Sequence, residues 1–152
     1  MAATTTQHIS KLVEQCKTDF DYSFLSGTTF KWSSQDKCIT YPQITSSEDF
    51  WTLLHEIAHA ELNHYDFKLD IELLSLETQA WIYAAKTLAP RYGVTLSHDF
   101  IEDNLDTYRE WAHMRSICPD CTQNGVQQKT GTYQCLNCKC LWGATESRDC
   151  LS

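Results

Sequence analysis

The chain has 152 residues, is 42% hydrophobic and 12% aromatic, and carries a formal net charge of −8. That length fits one domain, or one domain with a small appendage, and holds enough apolar residues for a real core. No run approaches the length of a membrane span, Met1 to Gln7 lack the apolar stretch of a secretory signal, and the acidic balance argues against broad nonspecific binding to nucleic acid.

The expected location is therefore cytoplasmic, where thiols stay reduced. The charge is unevenly spread: residues 1–110 hold 8 Lys and Arg against 17 Asp and Glu, whereas residues 111–152 hold 4 against 3. The near-neutral tail can still make a local contact that the acidic body cannot.

In chain order, the first expected element is a helix from about Thr4 to Phe20, with Ile9, Leu12, Val13 and Cys16 as its apolar stripe. Ser26-Gly27 signals a turn, and Thr28 to Trp32 is rich in β-formers. After the polar loop Ser33-Ser34-Gln35-Asp36, Lys37 to Tyr41 reads as a second strand ended by Pro42, so the two predict a hairpin.

Ser46-Ser47-Glu48-Asp49 is a helix start: Ser46 can cap the free amides, and the acids complement the positive helix end. The helix that follows should run to about His64. It contains His55-Glu56-Ile57-Ala58-His59, an H-E-x-x-H motif. Residues four apart lie one turn above each other on a helix, so His55 and His59 can aim two imidazoles at one ion. Zinc takes imidazole nitrogen readily and needs three protein ligands when catalytic. Glu56 then has the place of a general base. The flanking Phe50, Trp51, Leu53, Leu54, Ile57 and Leu62 make this helix too apolar to be solvated, and histidines and an acid on a buried helix need compensation.

A third helix should span about Asp70 to Ala89 and stop at Pro90. Leu74, Trp81, Ala85 and Leu88 define its apolar face, and Glu77 falls on that face. A carboxylate centred in an apolar stripe needs a partner, and Glu77 ranks first as the third metal ligand. His64, Glu72 and His98 are the alternatives. A fourth helix starts near Ser97-His98-Asp99 and runs to about Arg115, with Ile101, Leu105, Tyr108 and Ala112 as its stripe and Trp111 beside it.

Helical periodicity then ends. Cys118-Pro-Asp-Cys121 and Cys135-Leu-Asn-Cys138 are two C-x-x-C knuckles thirteen residues apart, the signal of a zinc ribbon. Four thiolates make a closed, structural site, and a segment this short needs metal to supply its folding energy. Cys140 could replace Cys138 in another register, and Cys150 reads as a free thiol. Lys129, Lys139 and Arg148 with Tyr133 and Trp142 could contact single-stranded nucleic acid. The favoured reading is that the two aromatics pack the ribbon against the helical domain.

With these residues in place, the run Thr52-Leu-Leu-His-Glu-Ile-Ala-His59 followed by Glu77-Thr-Gln-Ala-Trp-Ile-Tyr-Ala84 resembles the ImmA/IrrE-type zinc metallopeptidases of the gluzincin group. The likeness covers about residues 28–90. Gln79 stands where that family usually has a second glutamate. The resemblance implies an intracellular peptidase acting on a regulatory protein such as a transcriptional repressor. It also implies that a short strand before the active helix, here Lys37–Tyr41, pairs with the substrate. A second resemblance, to SprT-like proteins, rests on H-E-x-x-H joined to a C-terminal zinc ribbon and implies DNA-associated protein substrates.

The resulting expectation is an α+β chain. A mainly helical metallopeptidase-like domain with a small hairpin or sheet occupies 1–116, and a zinc ribbon occupies 117–152. Two zinc ions are expected, one at His55, His59 and Glu77 and one at Cys118, Cys121, Cys135 and Cys138. Glu56 is the expected catalytic base, with Tyr65, Tyr83 and Tyr92 as candidate second electrophiles. The competing expectation is a non-catalytic zinc-binding protein that contacts protein or nucleic acid through the ribbon. Neither reading involves a membrane.

Overall fold

A computed structural model describes residues 2–144, with side chains from residue 5. These residues form four helices and two small sheets, an α+β arrangement. Helix α1 (Ala2–Asp19) buries Ile9, Leu12, Val13 and Cys16, the expected stripe. Three strands follow: β1 (Ser23–Ser26), β2 (Lys31–Ser33) and β3 (Cys38–Tyr41). The expected hairpin is β2–β3, antiparallel with Trp32 opposite Ile39. Strand β1 adds itself on the far side, parallel to β3, in the order β1-β3-β2. The central strand is thus β3, and its Cys38, Ile39 and Tyr41 are buried.

That topology corrects one expectation. Both edges of Lys37–Tyr41 are taken by neighbouring strands, so this strand has no backbone groups left for a substrate to pair with.

Helix α2 (Ser47–Glu61) begins where the cap predicts. Ser46 is extended, and its hydroxyl accepts from the Asp49 amide at 3.1 Å. The carboxylate of Asp49 reaches back to the Thr45 amide at 3.0 Å and hydroxyl at 3.2 Å. The helix buries Phe50, Leu53, Leu54, His55, Ile57, Ala58, His59 and Ala60. It ends at Glu61, short of His64, because Asn63 turns into the left-handed region at φ 56°.

Helix α3 (Asp70–Tyr83) does not stop at Pro90. It widens into a π-helical stretch, Ala84–Leu88, and continues through a last α turn, Ala89–Arg91. The widening is how the proline is tolerated. The Ala89 amide bonds to Ala84 O, five residues back, and Pro90 then occupies a first-turn position where no amide is needed. Gly93, at φ 66°, closes the helix instead. The buried stripe runs Glu77, Ala80, Trp81, Ala84 and Leu88, so small alanines, more than Leu74 or Ala85, form the inner face.

Helix α4 (His98–Ser116) is capped by Ser97, whose hydroxyl accepts from the Phe100 amide at 3.2 Å. Of its expected stripe only Leu105 is fully buried. Strands β4 (Gly125–Lys129), β5 (Thr132–Cys135) and β6 (Leu141–Gly143) then make an antiparallel sheet in sequence order.

By packing, the chain divides into two compact units. One holds the chain up to Tyr65 together with Thr78–Ile101. The other holds Asp66–Glu77 and the chain from Glu102. The second unit has its own small core of Cys118, Tyr133, Cys135 and Trp142. In it, buried Asp70 accepts from Arg115 Nε and from the Tyr133 hydroxyl, both at 2.7 Å, and the Asp70 amide donates to Gln127 Oε1 at 2.7 Å. A buried carboxylate with this many donors is compensated.

Candidate metal centres

Helix geometry puts His55 and His59 one turn apart on the buried side of α2. Their Nε2 atoms face each other at 3.1 Å. Two nitrogens bound to one tetrahedral zinc at about 2.0–2.1 Å stand roughly 3.3 Å apart, so the pair already has the spacing of two ligands. The His55 ring stacks on Trp81, with centroids 4.2 Å apart, and Trp81 in turn meets Phe100 edge-on at 5.7 Å. An aromatic wall therefore orients the first imidazole. Glu77, also buried, supplies the third group: one atom each from His55, His59 and Glu77 lie within 4.8 Å of one another. These residues could hold a metal ion, and two imidazoles with one carboxylate suit zinc.

The alternatives to Glu77 are placed elsewhere. Glu72 is exposed and accepts from the Lys68 and Leu69 amides at 2.8 and 3.3 Å; those bonds hold its carboxyl below the usual range. It caps the start of α3. His98 is exposed in the first turn of α4. His64 is buried, but it touches His59 instead of joining the group: its Nδ1 lies 2.9 Å from His59 Nδ1.

Glu56 is half-buried, one residue from the first histidine. Its Oε2 accepts from the backbone amide of Trp32 at 2.9 Å. Strand β2 is an edge of its sheet among the described residues, and this amide points away from β3 toward α2. The Trp32 indole donates to His64 O at 3.2 Å, so one residue of β2 grips both the candidate base and the turn after the helix. Sequence reasoning placed Trp32 in a strand but not at the site; only the fold brings it there. Of the three tyrosines, Tyr92 is buried with its hydroxyl donating to Asp19 at 2.9 Å, Tyr65 is exposed, and Tyr83 is half-buried.

The four knuckle cysteines form the second group. Cys118 and Cys138 sulfurs stand 3.6 Å apart, Cys121 and Cys135 sulfurs 3.4 Å. Tetrahedral zinc with bonds of about 2.3 Å spaces its sulfurs by roughly 3.8 Å, so this cage fits too. Amides point inward at the sulfurs: Asp120 N to Cys118 at 3.4 Å, Asn137 N and Cys138 N to Cys135 at 3.3 and 3.4 Å. The two knuckles are built alike. Each second cysteine is followed by a left-handed residue, Thr122 and Lys139, both at φ 66°. The Asn137 side-chain amide and the Gln123 backbone amide hold the Cys121 thiol down at about 6. An amide from Cys140 favours the thiolate of Cys138, but burial and the three neighbouring sulfurs outweigh it and push that thiol up to about 12. Crowded sulfurs that cannot all ionise are what a dication relieves. Cys140 lies outside the group, so the alternative register is not adopted.

Tyr133 and Trp142 are buried and stack on each other at 5.7 Å; the indole donates to Arg115 O at 3.0 Å. Neither offers a face to a nucleic-acid base. Arg148 and Cys150, the remaining residues singled out in the tail, lie outside the described residues.

Comparison with family models, with curated proteins and with solved structures returned no match. No helix of the described residues is long and apolar enough to cross a membrane.

Proposed function

We propose that the chain is a zinc-dependent endopeptidase. The observation that carries this reading is the facing pair of Nε2 atoms on His55 and His59, grouped with buried Glu77 and flanked in sequence by Glu56. His55, His59 and Glu77 would hold the ion. When bound, zinc in such a site supplies Lewis acidity toward a water and a carbonyl. Glu56 would take the proton from the attacking water and deliver it to the leaving amine. The Trp32 amide keeps the Glu56 carboxylate oriented on the β2 side. The four-cysteine group would be structural, since a tetrahedral thiolate cage leaves no open position.

The substrate class is inferred from the resemblance to repressor-cleaving and DNA-associated peptidases: an intracellular regulatory or DNA-bound protein. Glu56→Gln tests the mechanism. The variant should keep its zinc, measured by elemental analysis, and lose about 10²–10⁴-fold in cleavage of an unstructured protein substrate. Unchanged cleavage would remove Glu56 from the chemistry. A wild-type protein that holds zinc but cuts no peptide would favour the non-catalytic binding reading instead.

A further inference from the structure

The chain places a second hydrogen-bonded line behind His59. From the metal side outward it runs His59, His64, Gln79. His59 turns Nε2 toward His55 and Nδ1 toward His64 Nδ1 at 2.9 Å. His64 turns its other nitrogen, Nε2, toward Gln79 Oε1 at 3.2 Å. His64 does not reach this place by helical spacing. Helix α2 ends at Glu61, Asn63 takes a left-handed turn, and the His64 amide folds back onto His59 O at 2.9 Å. The Trp32 indole then holds the His64 carbonyl from the other side.

We propose that His64 and Gln79 are positioning residues that select the tautomer of His59, leaving its Nε2 as the lone pair offered to the metal. The polarity follows from the outer end. A carboxamide oxygen only accepts, so His64 Nε2 carries the proton. A neutral imidazole has one donor and one acceptor, so His64 Nδ1 accepts. His59 Nδ1–H therefore donates to it, and His59 Nε2 is unprotonated. The reverse polarity would put a proton on His59 Nε2, pointing at His55 Nε2 where the ion should sit. A ligand imidazole is normally oriented by a carboxylate or carbonyl on its other nitrogen. Here a second imidazole does that work, and an amide two residues after Glu77 fixes that imidazole in turn.

This rests on the reading that His59 holds a metal, but not on the peptidase activity. The test uses the full chain with its four-cysteine group already filled by one zinc. Affinity for the second zinc is read by competition with a chromophoric chelator, and histidine tautomers are read by long-range nitrogen–proton NMR with and without that second ion. In the wild type, His59 should be protonated at Nδ1 and His64 at Nε2 in both states. His64→Ala should weaken the second zinc by about 10–100-fold. Gln79 is exposed, so its variants do not threaten the fold. Gln79→Glu, which can only accept, should retain the wild-type affinity and tautomers, and Gln79→Leu should lose both. A His64 protonated at Nδ1 in the wild type would overturn the proposal, as would His64→Ala and Gln79→Leu both binding the second zinc like the wild type. A wild type that takes up no second zinc would instead sink the metal reading, and the metal-free tautomers would still decide the polarity of the line.

Discussion

At the scale of single residues, the start of α2 shows how one carboxylate fixes the register of the motif helix. Burial by itself would raise the Asp49 carboxyl. Hydrogen bonds from the Thr45 amide and hydroxyl and from Ser46 outweigh it and hold the group below its usual range. A carboxyl depressed by folding contributes stability above its unfolded value, about 3.9, and loses it as pH falls through the lower folded value. Asp49→Asn should therefore cost about 1 kcal/mol at pH 6, a small figure because the side chain is partly exposed. The difference from wild type should shrink as urea melts are repeated below about pH 4. A constant difference across that range would mean that the charge is not what matters.

The same scale shows what the sequence could and could not reveal. His55 and His59 were legible because a four-residue spacing means one thing on a helix. Glu77 was legible because an acid in an apolar stripe is conspicuous. The place of His64 was not: five residues past His59, it should rotate off the ligand face of a continuous helix. Its return depends on a left-handed Asn63 that composition does not announce. Gln79 looked only like a departure from a family pattern, although its oxygen lies beside the His64 ring.

At the scale of elements, the misread segments share a cause: tertiary pairing decided what local pattern left open. Strand β1, Ser23-Phe24-Leu25-Ser26, is largely exposed and has no alternation, so nothing local marks it; pairing with β3 makes it a strand. Pro90 reads as a stop, but a wider turn upstream absorbs it. In the ribbon sheet, Gly125 sits opposite the knuckle residue Cys135. A methyl there would run into the Trp142 ring and meet the Gln134 carbonyl at 2.8 Å, a backbone atom that cannot swing aside. Gly125→Ala should thus cost about 1–3 kcal/mol by overpacking. It should also weaken zinc at the four cysteines while leaving the histidine group unaffected. Cobalt substitution reads this directly, because only thiolate ligation gives strong charge-transfer bands.

For the whole molecule, cysteine chemistry sorts the chain's free described thiols into two kinds. Cys118, Cys121, Cys135 and Cys138 gather at one point, whereas Cys16 and Cys38 lie in the core of the other unit. Burial pushes the Cys16 thiol up to about 12, against a partly opposing hydrogen bond with Tyr92, so it stays protonated and out of reach at neutral pH. With metal bound, the four knuckle thiolates should also resist alkylation, because their lone pairs are engaged. A strong chelator should open all four to alkylation at pH 7, because removing the ion frees their sulfurs and takes away the folding energy of the ribbon. Cys16 and Cys38 should label only when denaturant is added. Peptide mass spectrometry of a timed alkylation, with and without chelator, reads all six sites at once. Equal labelling of the four cysteines whether or not chelator is present would show that no metal holds them, and the ribbon would then need another source of stability than the about 10–16 kcal/mol that structural zinc provides in such small folds.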